Sequence, residues 1–108
     1  MGRPANKLRD KLRKEVKAAG GVFYNFQTPG AAGAQDAILL FPVGRIYFVE
    51  IKAIYTNSKD RESPLQKKRR EETLALGFLS EIISSTEEID QLMERIESDR
   101  IAQTERFT

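Results

Sequence analysis

Two β-prone runs separated by only three residues constrain this chain more than any other feature. Asp36 to Phe41 and Arg45 to Ala53 are rich in aliphatic and aromatic side chains, and Pro42-Val43-Gly44 between them is turn chemistry, so the pair reads as a hairpin. Alternation puts Ile46, Phe48, Glu50 and Lys52 on one face of the second run and Tyr47, Val49 and Ile51 on the other. An acid and a base at the end of an apolar strand call for a partner or a ligand, because charge left beside a core is costly. The hairpin also returns Asp36, at the start of its first strand, to the end of its second. Asp36, Glu50 and Lys52 are therefore expected to converge.

The rest of the chain supplies elements to pack against this hairpin. Residues 5–19 carry Ala5, Leu8, Leu12, Val16 and Ala19 at spacings of three and four, one apolar helical stripe that Gly20-Gly21 ends. Val22 to Phe26 is a first short strand, followed by a Pro/Gly/Ala loop from Thr28 to Ala34. Ser63-Pro64-Leu65-Gln66 opens a second helix, with Ser as cap, Pro in the first helical position and Gln in the third; Gly77 closes it. Phe78 to Ile83 is a fourth strand. Ser85-Thr86-Glu87-Glu88 caps a last helix whose Ile89, Leu92, Met93 and Ile96 recur at helical spacing, and residues 98–108 are expected to form a frayed tail. The order α-β-β-β-α-β-α predicts one α/β domain over residues 1–108, a mixed sheet flanked by helices.

Composition narrows the chemistry. The 108 residues include no Cys, His or Trp. Disulfides, Cys/His zinc sites, imidazole bases and His-activated nucleophiles are thereby excluded, leaving carboxylates, lysine and hard cations held by oxygen. The longest unbroken apolar stretch, Ala37 to Phe41, is far short of the roughly 20 residues of a membrane span. With charged residues after Met1-Gly2-Arg3-Pro4 rather than an apolar leader, a cytoplasmic setting and no membrane partner are expected.

Charge is segregated along the chain. Residues 1–20 hold seven bases against two acids, residues 61–70 five against one, and residues 81–99 seven acids against Arg95. Clustered Lys and Arg attract a polyanion such as a phosphate backbone; the competing reading is the ordinary solvated face of a helix.

Two carboxylates aimed at one point repel until a divalent cation relieves them, and Mg²⁺ or Mn²⁺ suits oxygen ligands. A lysine alongside can orient the attacking water and offset charge on a phosphoryl oxygen, so the implied reaction is metal-assisted phosphodiester hydrolysis. On Asp36, Glu50 and Lys52 alone, a same-face Glu50–Lys52 salt bridge at a strand end is the favoured explanation of the pattern.

The ordered series Gly20 to Phe26, Gly30 to Gly33, Asp36 with Ile38-Leu39-Leu40, Pro42 to Arg45, Phe48-Val49-Glu50-Ile51-Lys52, Ser63 to Gln66 and Leu76-Gly77-Phe78 resembles the VRR-NUC domain in its short stand-alone phage form. That domain belongs to the PD-(D/E)XK nuclease superfamily, with a restriction-endonuclease-like core, and the resemblance covers about residues 5–97. It implies Asp36, Glu50 and the backbone carbonyl of Ile51 as ligands of Mg²⁺ or Mn²⁺, and Lys52 as the catalytic lysine. The family Gln falls on Gln66, which the capping box also explains. An acid of the first helix often joins the metal; Glu15, at the inward edge of the helical wheel, is a better candidate than Asp10. The implied activity is structure-selective DNA cleavage resembling a Holliday junction resolvase, by a homodimer, and the phage form of the family implies a phage-encoded protein acting inside a host cell. Three departures stand out: Gln35 replaces the usual Pro before the Asp, the start of the first helix, where the family acid is expected, offers Arg9 and Asp10, and residues 54–62 form a longer, more charged loop than the family's glycine-rich connection.

DNA contact is expected from Asn25, Lys67, Lys68 and Arg70, although Lys67 to Arg70 cannot all share one helical face. Tyr24 is a candidate either for substrate contact or for core packing. The rival functions are a non-catalytic DNA-binding module on this fold, and a nuclease for flap DNA, linear DNA or RNA.

Overall fold

A computed structural model describes residues 4–25, 37–52 and 64–106. In chain order they form α1 (Pro4–Ala18), β1 (Val22–Asn25), β2 (Ala37–Phe41), β3 (Arg45–Ile51), α2 (Pro64–Ala75), β4 (Leu79–Ile83) and α3 (Thr86–Arg106). The order is the α-β-β-β-α-β-α expected from the sequence.

The four strands lie in the order β1-β2-β3-β4. β1 and β2, then β2 and β3, pair antiparallel, whereas β3 and β4 run parallel, so the sheet is mixed. A parallel pair needs a long connection, and the segment containing α2 provides it. The register sets Phe23, Leu39 and Tyr47 in one cross-strand row and Tyr24, Ile38 and Phe48 in the next, on opposite faces.

Leu12 and Val16 of α1 and Ile89, Leu92 and Ile96 of α3 join Leu39, Tyr47, Val49, Ile51 and Ile83 in one buried cluster. The apolar stripes of these two helices thus cover a single sheet face. α2 packs against β4 and contributes no buried residue.

Both shorter helices end in the same way. The Gly21 N–H reaches the Val16 carbonyl at 2.9 Å and that of Gly20 reaches Lys17 at 3.1 Å. At the end of α2, Phe78 bonds Thr73 at 3.3 Å and Gly77 bonds Leu74 at 2.9 Å. This paired closure needs a left-handed residue in the first position past the helix, which Gly20 (φ 90°) and Gly77 (φ 94°) supply. Phe78, expected to open the fourth strand, is consumed by that closure, and the strand begins at Leu79.

The start of α3 is capped as predicted: the Ser85 hydroxyl accepts the Glu88 N–H at 3.2 Å, while the Glu88 carboxylate accepts the Ser84 N–H at 2.8 Å. Its end differs from expectation. Residues 98–106 are helical rather than a frayed tail, because long-range bonds hold them. Tyr47 donates to Asp99 at 2.9 Å, Arg45 to the Ile96 carbonyl at 2.9 Å, and Gln103 to the Val43 carbonyl at 3.2 Å. Among the described residues, no helix is long and apolar enough to cross a membrane.

Candidate functional site

Glu50 lies near the end of β3 on the sheet face opposite the α1–α3 core, and Lys52 directly follows the strand, which ends at Ile51 rather than at the expected Ala53. Val49 and Ile51, pointing the other way, belong to that core, so alternation places Glu50 with Phe48 and Ile46. Glu50 is only 2% exposed, a rare position for a carboxylate. Lys52 stays partly exposed, anchored through its own N–H to the Ile83 carbonyl at 2.9 Å. Since successive backbone groups point to alternate edges of a strand, Ile51 turns its carbonyl toward the β2 edge of β3.

That edge is where β2 begins. Ala37, the first residue of β2, pairs with Val49, the residue before Glu50. Asp36 lies outside the described residues, as do Gln35, Ser63 and the loop 54–62.

The other expected site residues fall in several places. α2 turns Gln66, Arg70 and Thr73, spaced i, i+4, i+7, to its half-buried side, and leaves Lys67, Lys68 and Arg69 exposed. Arg69 pairs with Glu72 at 3.5 Å. The polar side of this helix therefore faces the protein, which separates Gln66 and Arg70 from the outward-facing bases. Asn25 ends β1 beside Ala37, exposed to solvent.

Glu15 sits in the α1–α3 layer. Its carboxylate binds Lys11, and Lys11 also reaches Asp90 of α3 at 3.4 Å. The hydrogen bond that Lys11 donates to the Glu15 carboxylate holds the Lys11 ammonium pKa above its ordinary value. Among the described residues, no group of three acids, His or Cys could hold a metal. The oxygen donors at the end of β3 are the Glu50 carboxylate and the Ile51 carbonyl. These are hard oxygen donors that suit Mg²⁺, which is commonly bound by one or two carboxylates with water and substrate phosphate completing its shell.

One buried polar residue escaped the sequence reading. Ser80 of β4 is buried next to Phe48, its register partner, and Ile82 lies beside Glu50. A hydroxyl inside the run Leu79-Ser80-Glu81-Ile82-Ile83 was the available signal. A concavity of about 620 Å³ lies at the other end of the sheet, lined among others by Arg45, Tyr47, Leu74, Phe78 and Asp99. Glu50 and Lys52 do not line it.

No family model matches the chain. Its structure is similar to a solved VRR_NUC domain, with a TM-score of 0.75 at 24% identity, covering 86% of this chain and 97% of that one. Its sequence is 34% identical over 74 residues to "Putative nuclease p44" of Acyrthosiphon pisum secondary endosymbiont phage 1, spanning 68% of this chain and 75% of that protein. The chain belongs to the VRR-NUC nuclease family.

Within that VRR-NUC framework the residues named above have defined stations. Glu50 occupies the end of the third strand and Lys52 directly follows it, Gln66 and Arg70 lie on the inward side of the crossover helix, and Glu15 in the outer helical layer, where Lys11 meets its charge.

Proposed function

We infer that this VRR-NUC domain is a Mg²⁺- or Mn²⁺-dependent endonuclease that hydrolyses phosphodiester bonds in branched DNA. The observation that carries the reading is the burial of Glu50 near the end of β3, two residues before Lys52. A carboxylate is kept at such a position when charge or hydrogen bonding repays its desolvation. The chain joins Asp36 to Ala37, whose strand partner Val49 is joined to Glu50, which supports a second carboxylate near the first.

In this scheme Glu50, Asp36 and the Ile51 carbonyl would hold the cation, which would supply Lewis-acid polarisation of the phosphoryl group and a more acidic water. Lys52 donates hydrogen bonds to the attacking water and to a non-bridging oxygen, orienting the first and offsetting the charge that grows on the second. Gln66 positions the phosphate through its amide. Asn25 and the outward-facing Lys67 and Lys68 contact the flanking backbone, Arg70 stands with Gln66 on the inward side of α2, and a symmetric pair of chains would present one site to each of two strands.

The test uses a four-way junction, a flap, a linear duplex and an RNA hairpin, each with Mg²⁺, Mn²⁺ or EDTA, against the wild type, Asp36→Ala and Lys52→Ala. Metal-dependent cutting of the junction that both substitutions abolish, with binding retained, is the expected result. Binding without cutting under every condition would replace the enzyme by a DNA-binding module, and preferential cutting of RNA would replace the substrate.

A further inference from the structure

The sheet face that carries Glu50 is apolar along its length and incompletely covered. Its rows are Val22–Leu40–Ile46 and Tyr24–Ile38–Phe48, with Glu50 following Phe48 two residues on. Leu40, Ile46, Ile38 and Phe48 are half-buried, whereas Val22 is exposed and Tyr24 is 55% exposed on the edge strand. Tyr24 is therefore not a core residue. Ile38 stands directly beside it, and Phe48, next in the row, meets the ring of Phe78 edge-on, with centroids 5.5 Å apart.

We propose that Tyr24 is a stacking platform for an unpaired nucleobase of the substrate, held on the same sheet face as the scissile phosphate. The proposal rests on the nuclease reading for its choice of ligand, and gives structure selectivity a physical source. A base inside a duplex has its faces covered by its neighbours, so only an unstacked base at a branch, flap or gap can lie on an exposed ring. Two strand spacings of about 4.8 Å and a two-residue advance of about 6.8 Å separate the backbones at Tyr24 and Glu50 by roughly 12 Å. Three to four nucleotides stacked at about 3.4 Å each cover that distance. The phosphates that accompany such a strand need cations, and Lys52 directly follows β3, two residues past Glu50. An aliphatic floor beside an exposed aromatic ring, with a cation at the end of the path, is the surface a single strand uses: bases on the ring, phosphates toward the charge.

The experiment is read in EDTA with the full chain, so that no cleavage is needed. Junction, flap and gapped DNAs carry 2-aminopurine at one unpaired position, and a fully paired duplex serves as reference. Wild type and Tyr24→Phe are expected to quench the fluorophore and bind the unpaired substrates more tightly than the duplex. Tyr24→Ala and the strand-compatible Tyr24→Val lose the quenching and about 5- to 150-fold in affinity for the unpaired substrates alone, the range that about 1–3 kcal/mol of stacking gives. Unchanged quenching in Tyr24→Val, or an equal loss on duplex and unpaired DNA, would overturn the platform. So would a shift in sedimentation with no change in quenching, which would assign this face to a second copy of the chain. Failure of the nuclease reading is seen separately, as absence of cutting when Mg²⁺ is restored.

Discussion

Tyr47 of β3 donates its hydroxyl hydrogen to Asp99 of α3 across 2.9 Å, tying the first half of the strand to the second half of the helix. Burial, and then this hydrogen bond, push the Tyr47 pKa above its ordinary value. The folded state keeps the phenol proton at a pH where the unfolded chain has released it. Stability from this group is complete below about pH 10 and is lost as pH rises toward the folded-state pKa. Tyr47→Phe should lower stability by about 1 kcal/mol at neutral pH and flatten the decline above pH ~10. Urea unfolding at neutral and alkaline pH checks this; an alkaline slope identical to wild type would refute it.

Gly21 lies where no side chain fits. A Cβ there would stand 2.7 Å from the Phe41 ring and 2.9 Å from the Leu40 carbonyl oxygen. The ring is buried and the oxygen is backbone, so neither yields easily. Gly21→Ala should destabilise by about 1–3 kcal/mol through overpacking, measured as a lower urea midpoint with an unchanged slope. A midpoint equal to wild type would show that α1 and β2 can separate freely.

Val43 in the hairpin turn adopts φ 66° with its side chain 68% exposed. A β-branched residue is disfavoured in that conformation by roughly 1–2 kcal/mol and packs little in return. Val43→Gly should raise stability by about 0.5–1 kcal/mol, after the greater unfolded-state entropy of glycine is subtracted, seen as a higher Tm. A lower Tm would mean that the exposed valine packs against something that matters.

The sequence reveals the element order because the helices bury one face, which writes a period between three and four in α1 and in α3 as far as Ile96, whereas β2 and β3 are marked by short apolar runs bounded by turn residues. Past Ile96 the period stops reporting. There α3 is held by Arg45, Tyr47 and Gln103, whose partners lie 51, 52 and 60 residues away, and no local window sees such bonds. α2 shows the same limit differently. Its half-buried side is Gln66, Arg70 and Thr73, so no apolar stripe could announce which way it faces. Glu50 and Lys52 were legible as charges at the end of an apolar strand face. The exposure of Tyr24 was not, because an aromatic in a β run reads the same whether its face is covered or open.

The most direct measurement of the central claim is the initial rate of junction cleavage in Mg²⁺ by Glu50→Gln beside the wild type, with DNA affinity and Tm recorded on the same samples. Loss of the buried carboxylate charge should lower the rate by about 100-fold or more while affinity and fold persist. Cutting by Glu50→Gln at the wild-type rate would contradict the account, because the side chain on which it is built would then have no part in the reaction.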